Sequence, residues 1–354
     1  MQRRILLLIT DLRIGGTPVV VRELAVRLQN DPDFHVHVAC LDHSGPVADE
    51  LRARGVGVTP LNALGTLDLR IVFRLVRLIR RENIDTVFSF LVHANTVAAL
   101  ASLFVRDVRF LQSIQTTQRK PRWHWRVQHM AQRAAELVVV PSKSVADAAE
   151  RWAGVDAKKV LVIPNAVDVA DFAGKPREAA GKRIGFIGRL DPIKRVEDLV
   201  AALSLLKGDY TLDIFGQGRE RAQIQSMISR LDLEDRAILR GEIAGSAAAL
   251  AKIDVLALPS DAEGFGLVLI EAMAAGVPVI GTNVPGICDV IEDGVSGLLV
   301  PPRDPRALAN AIEKILNDRS LREKLIMGGS DRVRRNYDWS VQIEEYRNLL
   351  RRPG

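Results

Sequence analysis

Two glutamates with seven residues between them bracket a glycine-bearing turn in Glu263–Glu271 (EGFGLVLIE). Gly264-Phe265-Gly266 leads into an apolar run from Leu267, which reads as a flexible loop opening a helix. The first backbone N–H groups of such a helix have no partner within it and suit an anion or a polar ligand. Glu263 before the turn and Glu271 on the helix could accept hydrogen bonds from hydroxyls of a sugar and a ribose. The helix is apolar nearly all round and should be buried, where a carboxylate needs a partner. A structural ion pair for Glu271 is the alternative. In Gly185–Arg195 (GFIGRLDPIKR), Arg189 and Lys194 stand five residues apart across a loop after an apolar run. Arg as a fork and Lys as a point charge can together neutralise a diphosphate. Two solvated charges on a loop would also fit. Asp11–Pro18 (DLRIGGTP) places Gly15-Gly16 where backbone can approach a ligand at a helix start. It lacks the G-x-G-x-x-G dinucleotide fingerprint, and a plain tight turn is its other reading.

These loops need elements to hold them. Apolar runs at Arg4–Ile9, His35–Cys40, Asp85–Phe90, Arg109–Ser113, Leu137–Val140 and Val160–Ile163 read as strands. A second series follows at Arg183–Ile187, Thr211–Phe215, Ala237–Leu239, Val255–Leu258, Val279–Gly281 and Gly297–Val300. Amphipathic stretches such as Val19–Gln29, Leu67–Arg81 and Val196–Leu206 alternate with them. Such alternation makes doubly wound parallel α/β sheets, and two series make two Rossmann-like domains. The polar stretch Asp168–Gly181 separates the series, and a final helix over Trp339–Arg351 is long enough to return to the first domain. The expected division is 1–170, 171–337 and a returning helix in 338–354. Ligands should bind beyond the carboxyl ends of the strands, in the cleft of the pair.

The chain has 354 residues, 47% hydrophobic and 26% charged, which excludes disordered, collagen-like and coiled-coil classes. Its two cysteines cannot form a disulfide framework, so a reducing compartment and a cytoplasmic setting are expected. The hydrophobic core at Ile5–Ile9 is too short for a signal peptide. Thr86–Val105 carries no charge over 20 residues, but Ser89, His93, Asn95, Thr96 and Ser102 would be costly in lipid. Strand, polar loop and buried helix is the expected arrangement there. The His and Cys residues lack metal spacing, Asp31-Pro32-Asp33 falls in a helix-to-strand turn, and no G-x-S-x-G elbow or Walker loop occurs. No metal or resident cofactor is expected.

With these motifs in this order, the chain resembles the retaining, nucleotide-sugar-dependent glycosyltransferases of family 4, which have the two-domain GT-B fold. The resemblance covers nearly the whole chain. It rests on Gly15-Gly16, Val162–Phe172 (VIPNAVDVADF), Gly188–Lys194 (GRLDPIK), Gly216–Arg221 (GQGRER), Glu263–Glu271, Gly276–Pro278 and Asp293–Pro301 (DGVSGLLVP). It implies an N-terminal acceptor domain and a C-terminal donor domain. Arg189 and Lys194 would bind the donor diphosphate, Glu271 the ribose, and Glu263 with Gly264, Phe265, Gly266 and Leu267 the donor sugar. Gly188 and Gly216 would line that site, and the Gly15-Gly16 loop would close over the phosphates. Arg189, Lys194 and Glu263 are the candidate catalytic residues. In similar enzymes the departing phosphate is thought to take the acceptor proton itself, without a metal. The family's loop His is replaced by Gln115 in Ser113–Gln118 (SIQTTQ), and its NGVD reads Asn165–Asp168 (NAVD). His93 and Asn95 match a His-x-Asn of some members, although a buried loop His would explain His93 equally. His93, Asn95, Gln115 and Asn165 are candidate acceptor or donor-sugar contacts. The implied reaction moves a hexose from a nucleotide diphosphate sugar to a glycan or lipid-linked hydroxyl, in cell-surface polysaccharide or glycolipid assembly. A catalytically weak sugar-nucleotide or polyanion-binding protein of the same fold is the alternative.

Charge is uneven. Residues 1–168 carry 23 Lys/Arg against 16 Asp/Glu, and residues 70–133 alone carry 12 against 3. Arg70, Arg74, Arg77 and Arg81 share a helical face, while Arg119–Arg126 (RKPRWHWR) interleaves Trp123 and Trp125 with basic residues. Residues 70–133 are therefore expected to dock peripherally on an anionic membrane surface, at the inner face of the cell membrane. A solvated basic face or a polyanionic soluble acceptor is the other reading. Nucleic acid is not expected, since no recognition motif accompanies the patch.

Overall fold

The computed structural model describes residues 2–65, 68–172, 181–243 and 245–352. It divides into two compact units, Met1–Asn165 with Gln342–Gly354, and Ala166–Val341. Residues 173–180 of the predicted linker, and residue 67 at the start of the predicted Leu67–Arg81 helix, lie outside the described residues.

The first unit is built on strands β1 (Arg3–Ile9), β2 (Phe34–Cys40), β3 (Gly57–Pro60), β4 (Thr86–Phe90), β5 (Arg109–Ser113), β6 (Leu137–Val140) and β7 (Val160–Val162). They form one parallel sheet in the order β3-β2-β1-β4-β5-β6-β7. β1 lies inside the sheet between β2 and β4, and Ile5 to Ile9 are wholly buried, which is why it reads as an unbroken apolar run rather than an alternating one. From β1 the chain winds outward through β2 to β3, then crosses back to place β4 beside β1. β3 was not legible in the sequence. It is a four-residue edge strand with a glycine first and a proline last, and Gly57 admits the His37 ring where a Cβ would collide.

The uncharged Thr86–Val105 stretch becomes β4 and the Val92–Ala101 helix, joined by Leu91 alone at φ 74°. The polar loop expected there does not exist, because its polar residues lie inside the helix. Asn95 is fully buried; it accepts from Ser89 Oγ at 2.8 Å and donates to the Ser113 carbonyl at 3.0 Å and to Gln128 Oε1 at 2.9 Å. Among the described residues no helix is long and apolar enough to cross a membrane.

The Trp339–Arg351 helix packs on the first unit from Gln342 onward. Tyr346 sits against Phe88, with ring centroids 6.3 Å apart, and Arg109 Nη1 donates to the Leu349 carbonyl at 2.7 Å. Arg347 and Arg351 form ion pairs with Asp31 at 2.8 and 3.4 Å, and Arg351 with Asp33 at 2.9 Å. The Asp-Pro-Asp turn is thus a clasp for this helix. Among the described residues no group of three metal-ligating side chains comes together.

The second unit carries β8 (Arg183–Ile187), β9 (Thr211–Phe215), β10 (Ala237–Gly241), β11 (Val255–Leu258), β12 (Val279–Thr282) and β13 (Leu298–Val300). Their order is β10-β9-β8-β11-β12-β13, again parallel throughout. The winding reverses between β8 and β11, as it does between β1 and β4 in the first unit. In open parallel sheets this reversal is where the loops part and a ligand can enter.

Candidate functional site

In the second unit the two most informative sequence motifs leave adjacent strands at that reversal. The loop after β8 holds Gly188, Arg189 and Lys194, and the loop after β11 holds Ser260 to Gly266. The backbone ties them together, Asp261 N–H donating to the Ile193 carbonyl at 2.8 Å. Lys194 and Glu263, 69 residues apart in sequence, form an ion pair whose side chains are only 17% and 11% exposed. Ser260 Oγ donates to the same Glu263 oxygen at 2.8 Å, so that carboxylate is fixed in position. Arg189 is 67% exposed and paired with Asp191 at 3.2 Å, so its guanidinium is free to swing onto an incoming anion. Arg195, left-handed at φ 52°, grips Asp198, and that hydrogen bond raises its already high pKa; it anchors the loop.

Two glycines are required here. A Cβ on Gly216 (φ 141°) would overlap the Gly188 carbonyl, which lets the loop after β9 lie directly on the loop after β8. A Cβ on Gly286 (φ 87°) would overlap the Glu263 carbonyl, so the stretch after β12 supports the Glu263 loop from below. Past Gly266, itself left-handed at φ 83°, the Leu267–Ala274 helix buries Leu269, Ile270, Ala272 and Met273. The helix is apolar nearly all round and lies largely against the core, as expected. Leu267, Val268 and Glu271 are half-buried, and Leu267 and Val268 still pack against the core of this unit. Phe265 is buried, edge-on to Tyr337 at 5.4 Å. Sequence reasoning missed Ser260, Asp261 with its partner Arg303 at 2.7 Å, and Gly286. The first two were findable, because they are the polar residues that directly follow the apolar run of β11.

In the first unit the corresponding reversal is lined by Gly15-Gly16 after β1 and by the start of the Val92–Ala101 helix after β4. Neither glycine is left-handed, and nothing lies within 4 Å of a Cβ built on Gly16. The four candidate contacts in this unit separate into two kinds. Asn95 is a buried structural residue, which corrects its expected role as a substrate contact. His93 is exposed on the first turn of its helix, which overturns the alternative of a buried loop His. Gln115 is tied at both ends, donating to Ser113 Oγ at 2.7 Å and accepting from Asn165 Nδ2 at 3.2 Å. Asn165 Oδ1 is buried without a partner.

The basic stretch is also divided. In the Arg70–Arg81 helix, Arg74 turns inward to the Leu61 and Asn62 carbonyls at 2.8 and 2.7 Å and is not part of an open arginine face. Arg77 and Arg80 are exposed beside Phe73, which is 61% exposed and 5.6 Å from Phe104. Trp125 is 6% exposed, and its indole N–H donates to the Gln118 carbonyl at 2.8 Å, so it belongs to the core and not to a surface belt.

Residues 14–171 match the family described as Glycosyltransferase Family 4, and residues 170–332 match Glycosyl transferases group 1. A phosphatidyl-myo-inositol mannosyltransferase of Mycobacterium leprae is 39% identical over 211 residues, covering 56% of this chain and 55% of that relative. A glycogen synthase of Mycobacterium tuberculosis is 27% identical over 265 residues, covering 70% of this chain and 64% of that protein. The match thus spans little more than half the length of such relatives. In fold, the Anabaena HepE protein in complex with UDP and glucose superposes with a TM-score of 0.89 at 22% identity, covering 99% of both chains. The sucrose-phosphate synthase of Thermosynechococcus elongatus superposes with 0.83 at 22% identity, covering 99% and 98%. Two parallel-sheet Rossmann-like units of this kind constitute the GT-B fold.

Proposed function

Since this chain belongs to the glycosyltransferases, its first half to Family 4 and its second to group 1, we propose that it transfers a hexose, with retention and without a metal, from a nucleotide diphosphate sugar to a hydroxyl acceptor. The observation that carries this reading is the Lys194–Glu263 pair, held by Ser260 at the β8/β11 reversal. A half-buried ammonium already neutralised by a carboxylate is a switchable anion site. A diphosphate arriving beside Arg189 competes for Lys194, and the Glu263 carboxylate thereby becomes available to accept from sugar hydroxyls. As the sugar–phosphate bond breaks, negative charge grows on the leaving oxygen, and Arg189 with Lys194 opposes it where it develops. Glu271, half-buried on its helix, is assigned the ribose. Gly264 to Leu267 would hold the donor sugar, and the first N–H groups of the helix would face the diphosphate.

The acceptor is a glycan or lipid-linked hydroxyl in cell-surface polysaccharide or glycolipid assembly, reached from the inner face of the membrane by the basic first unit. The mannosyltransferase relative makes a mannosyl donor and a phosphoinositide acceptor the first pair to test. The experiment is release of nucleoside diphosphate from UDP- and GDP-hexoses, with and without lipid extract, in EDTA, with the product anomer read by NMR. Turnover in EDTA with an α-linked product from an α-donor supports the reading. Tight nucleotide binding without release from any donor would instead identify a binding protein of the same fold.

A further inference from the structure

Three aromatic rings meet on the surface of the first unit, from two elements that have no need of them for their cores. His93 lies on the first turn of the Val92–Ala101 helix, which buries Ala94, Asn95, Ala98 and Ala101. Trp123 and His124 lie on the first turn of the Arg122–Ala131 helix, which buries Trp125, Gln128 and Ala131. Ring centroids are 6.1 Å apart for His93–Trp123, 5.9 Å for His93–His124 and 4.0 Å for Trp123–His124, with planes inclined at 66°, 79° and 69°. Trp123 is 49% exposed, whereas Trp125 and Trp339 are buried. Both helices follow directly on the carboxyl ends of neighbouring strands, β4 and the loop after β5, beside the reversal of the first sheet.

The electrostatics around the rings have one sign. From Val108 to Ala135 the sequence contains no Asp or Glu. Arg119, Lys120, Arg122 and Arg126 are exposed, and among the described residues none of them pairs with a carboxylate. A half-exposed indole offers a flat apolar face to the C–H face of a sugar or cyclitol ring. The two imidazoles at its edge can donate to or accept from ring hydroxyls. Unpaired cations within a turn of the rings favour an anionic substituent on that same ring, and guanidinium forks suit phosphate.

We propose that His93, Trp123 and His124, with Arg122 and Arg126, form the acceptor subsite, and that the acceptor is a ring-bearing polyol carrying a phosphate. This rests on the proposed transfer reaction and adds the residues that would select a phosphorylated ring as its acceptor. The phosphate can belong to a lipid headgroup or to a soluble sugar phosphate. The test is tryptophan fluorescence of the full chain titrated with glucose 1-phosphate, inositol 1-phosphate, free glucose, inorganic phosphate, and vesicles of phosphatidylinositol or of phosphatidylglycerol. A blue shift with at least one phosphorylated ring, at concentrations ten-fold or more below those needed for glucose or for inorganic phosphate, is expected. It should vanish in Trp123→Phe and weaken ten-fold or more in Arg122→Ala/Arg126→Ala. A response confined to phosphatidylinositol vesicles assigns the phosphate to a lipid; a response to the soluble compounds assigns it to a free one. No shift with any phosphorylated ring, an equal response to glucose, an equal response to both vesicles, or a shift that survives in Trp123→Phe would overturn the proposal. Nucleotide-induced thermal stabilisation is read separately. Its absence counts against the transfer reaction and leaves the fluorescence result to stand alone.

Discussion

The two sheet reversals are built on one topology and equipped oppositely. At β8/β11 opposite charges are interlocked: Lys194 with Glu263, Arg189 with Asp191, Arg303 with Asp261. Glycines there are fixed by backbone that touches backbone. At β1/β4 the glycines are spacious, and although Arg13 after β1 pairs with Asp42, the exposed rings beside this reversal lie in the stretch from Val108 to Ala135, which is basic without carboxylates. A site whose charges are already paired is preorganised for one ligand chemistry, the anion that replaces one partner. A site with unpaired cations and open faces has its specificity set by surface residues that can vary without disturbing the fold. The fold supplies the two reversals, and the loops decide what each does.

The largest test of this contrast is removal of the cations at β8/β11. Arg189→Ala and Lys194→Ala should each lose about 2–5 kcal/mol of transition-state stabilisation, roughly a 30- to 5,000-fold fall in kcat/KM for donor. They should differ in stability. Arg189→Ala leaves Tm unchanged, since an exposed pair is worth about 0–1 kcal/mol. Lys194→Ala removes the counter-charge of the Glu263 carboxylate, leaving it the Ser260 hydroxyl, and should cost about 1–3 kcal/mol, less than for a fully buried pair. Lys194→Met/Glu263→Gln should recover much of that loss while remaining inactive. If either single variant kept wild-type kcat/KM, the diphosphate assignment would be wrong.

The glycines divide the two regions next. Gly286→Ala puts a Cβ into the Glu263 carbonyl at a left-handed φ, which should cost about 1–3 kcal/mol and reduce donor turnover with it. Gly16→Ala meets nothing in the free protein and opens the Gly16–Gln29 helix, so thermal melting should be unchanged or slightly raised. If Gly16 is there for a ligand's close approach, turnover falls while stability does not. Turnover equal to wild type would make Gly15-Gly16 a plain turn.

Why the second reversal was legible and the first only partly so follows from the same difference. Arg189, Lys194 and Glu263 stand in short motifs directly after long apolar strands, so position and chemistry are both written locally. Each strand buried on both faces also announced itself, as Ile5–Ile9 does. Asn95 was misjudged because its role depends on Ser89, Ser113 and Gln128, from three other elements, and no spacing reveals a partner 33 residues away. Trp123 and Trp125 looked alike in sequence, but they sit two residues apart on one helix and so point to opposite environments. Arg74 reads as part of a basic stripe, yet the carbonyls it caps come from the preceding loop. β3 is too short and too edge-bound to carry a pattern.

Membrane docking is a smaller effect, spread over many weak contacts. Sedimentation with phosphatidylglycerol vesicles at low salt should fall about five-fold for each of Arg77→Ala and Arg81→Ala, at roughly 1 kcal/mol per surface cation. Phe73→Ser, which removes an exposed apolar side chain beside them, should lower it further. Arg74→Glu is unsuitable, because it would break the Leu61 and Asn62 contacts and test the fold. Binding that is insensitive to salt and to all three substitutions would leave the basic stretch as a solvated face.

The smallest effect separates the units by pH. All six histidines lie between residues 35 and 129, so the second unit has none. His37 is buried, with Nε2 2.8 Å from Thr59 Oγ1, and burial lowers its pKa below the ordinary value; Glu82 nearby opposes the shift, and Arg81 and His35 add to it. His124 is lowered as well, first by burial and then by His93. For a base whose folded pKa lies below the unfolded one, the unfolded chain takes up a proton that the native ring refuses. Stability is therefore full above about pH 6.5, falls as pH drops through that value, and levels once the native ring itself titrates. Hydrogen exchange on the whole chain, corrected for intrinsic rates, should show protection of β2 and β3 weakening between pH 7.5 and 5.5. Protection of β8, β9 and β11 should hold over the same range. His37→Gln, which keeps a partner for Thr59, should flatten the first response. Equal weakening in both units, or a response unchanged in His37→Gln, would place the pH sensitivity outside the histidines.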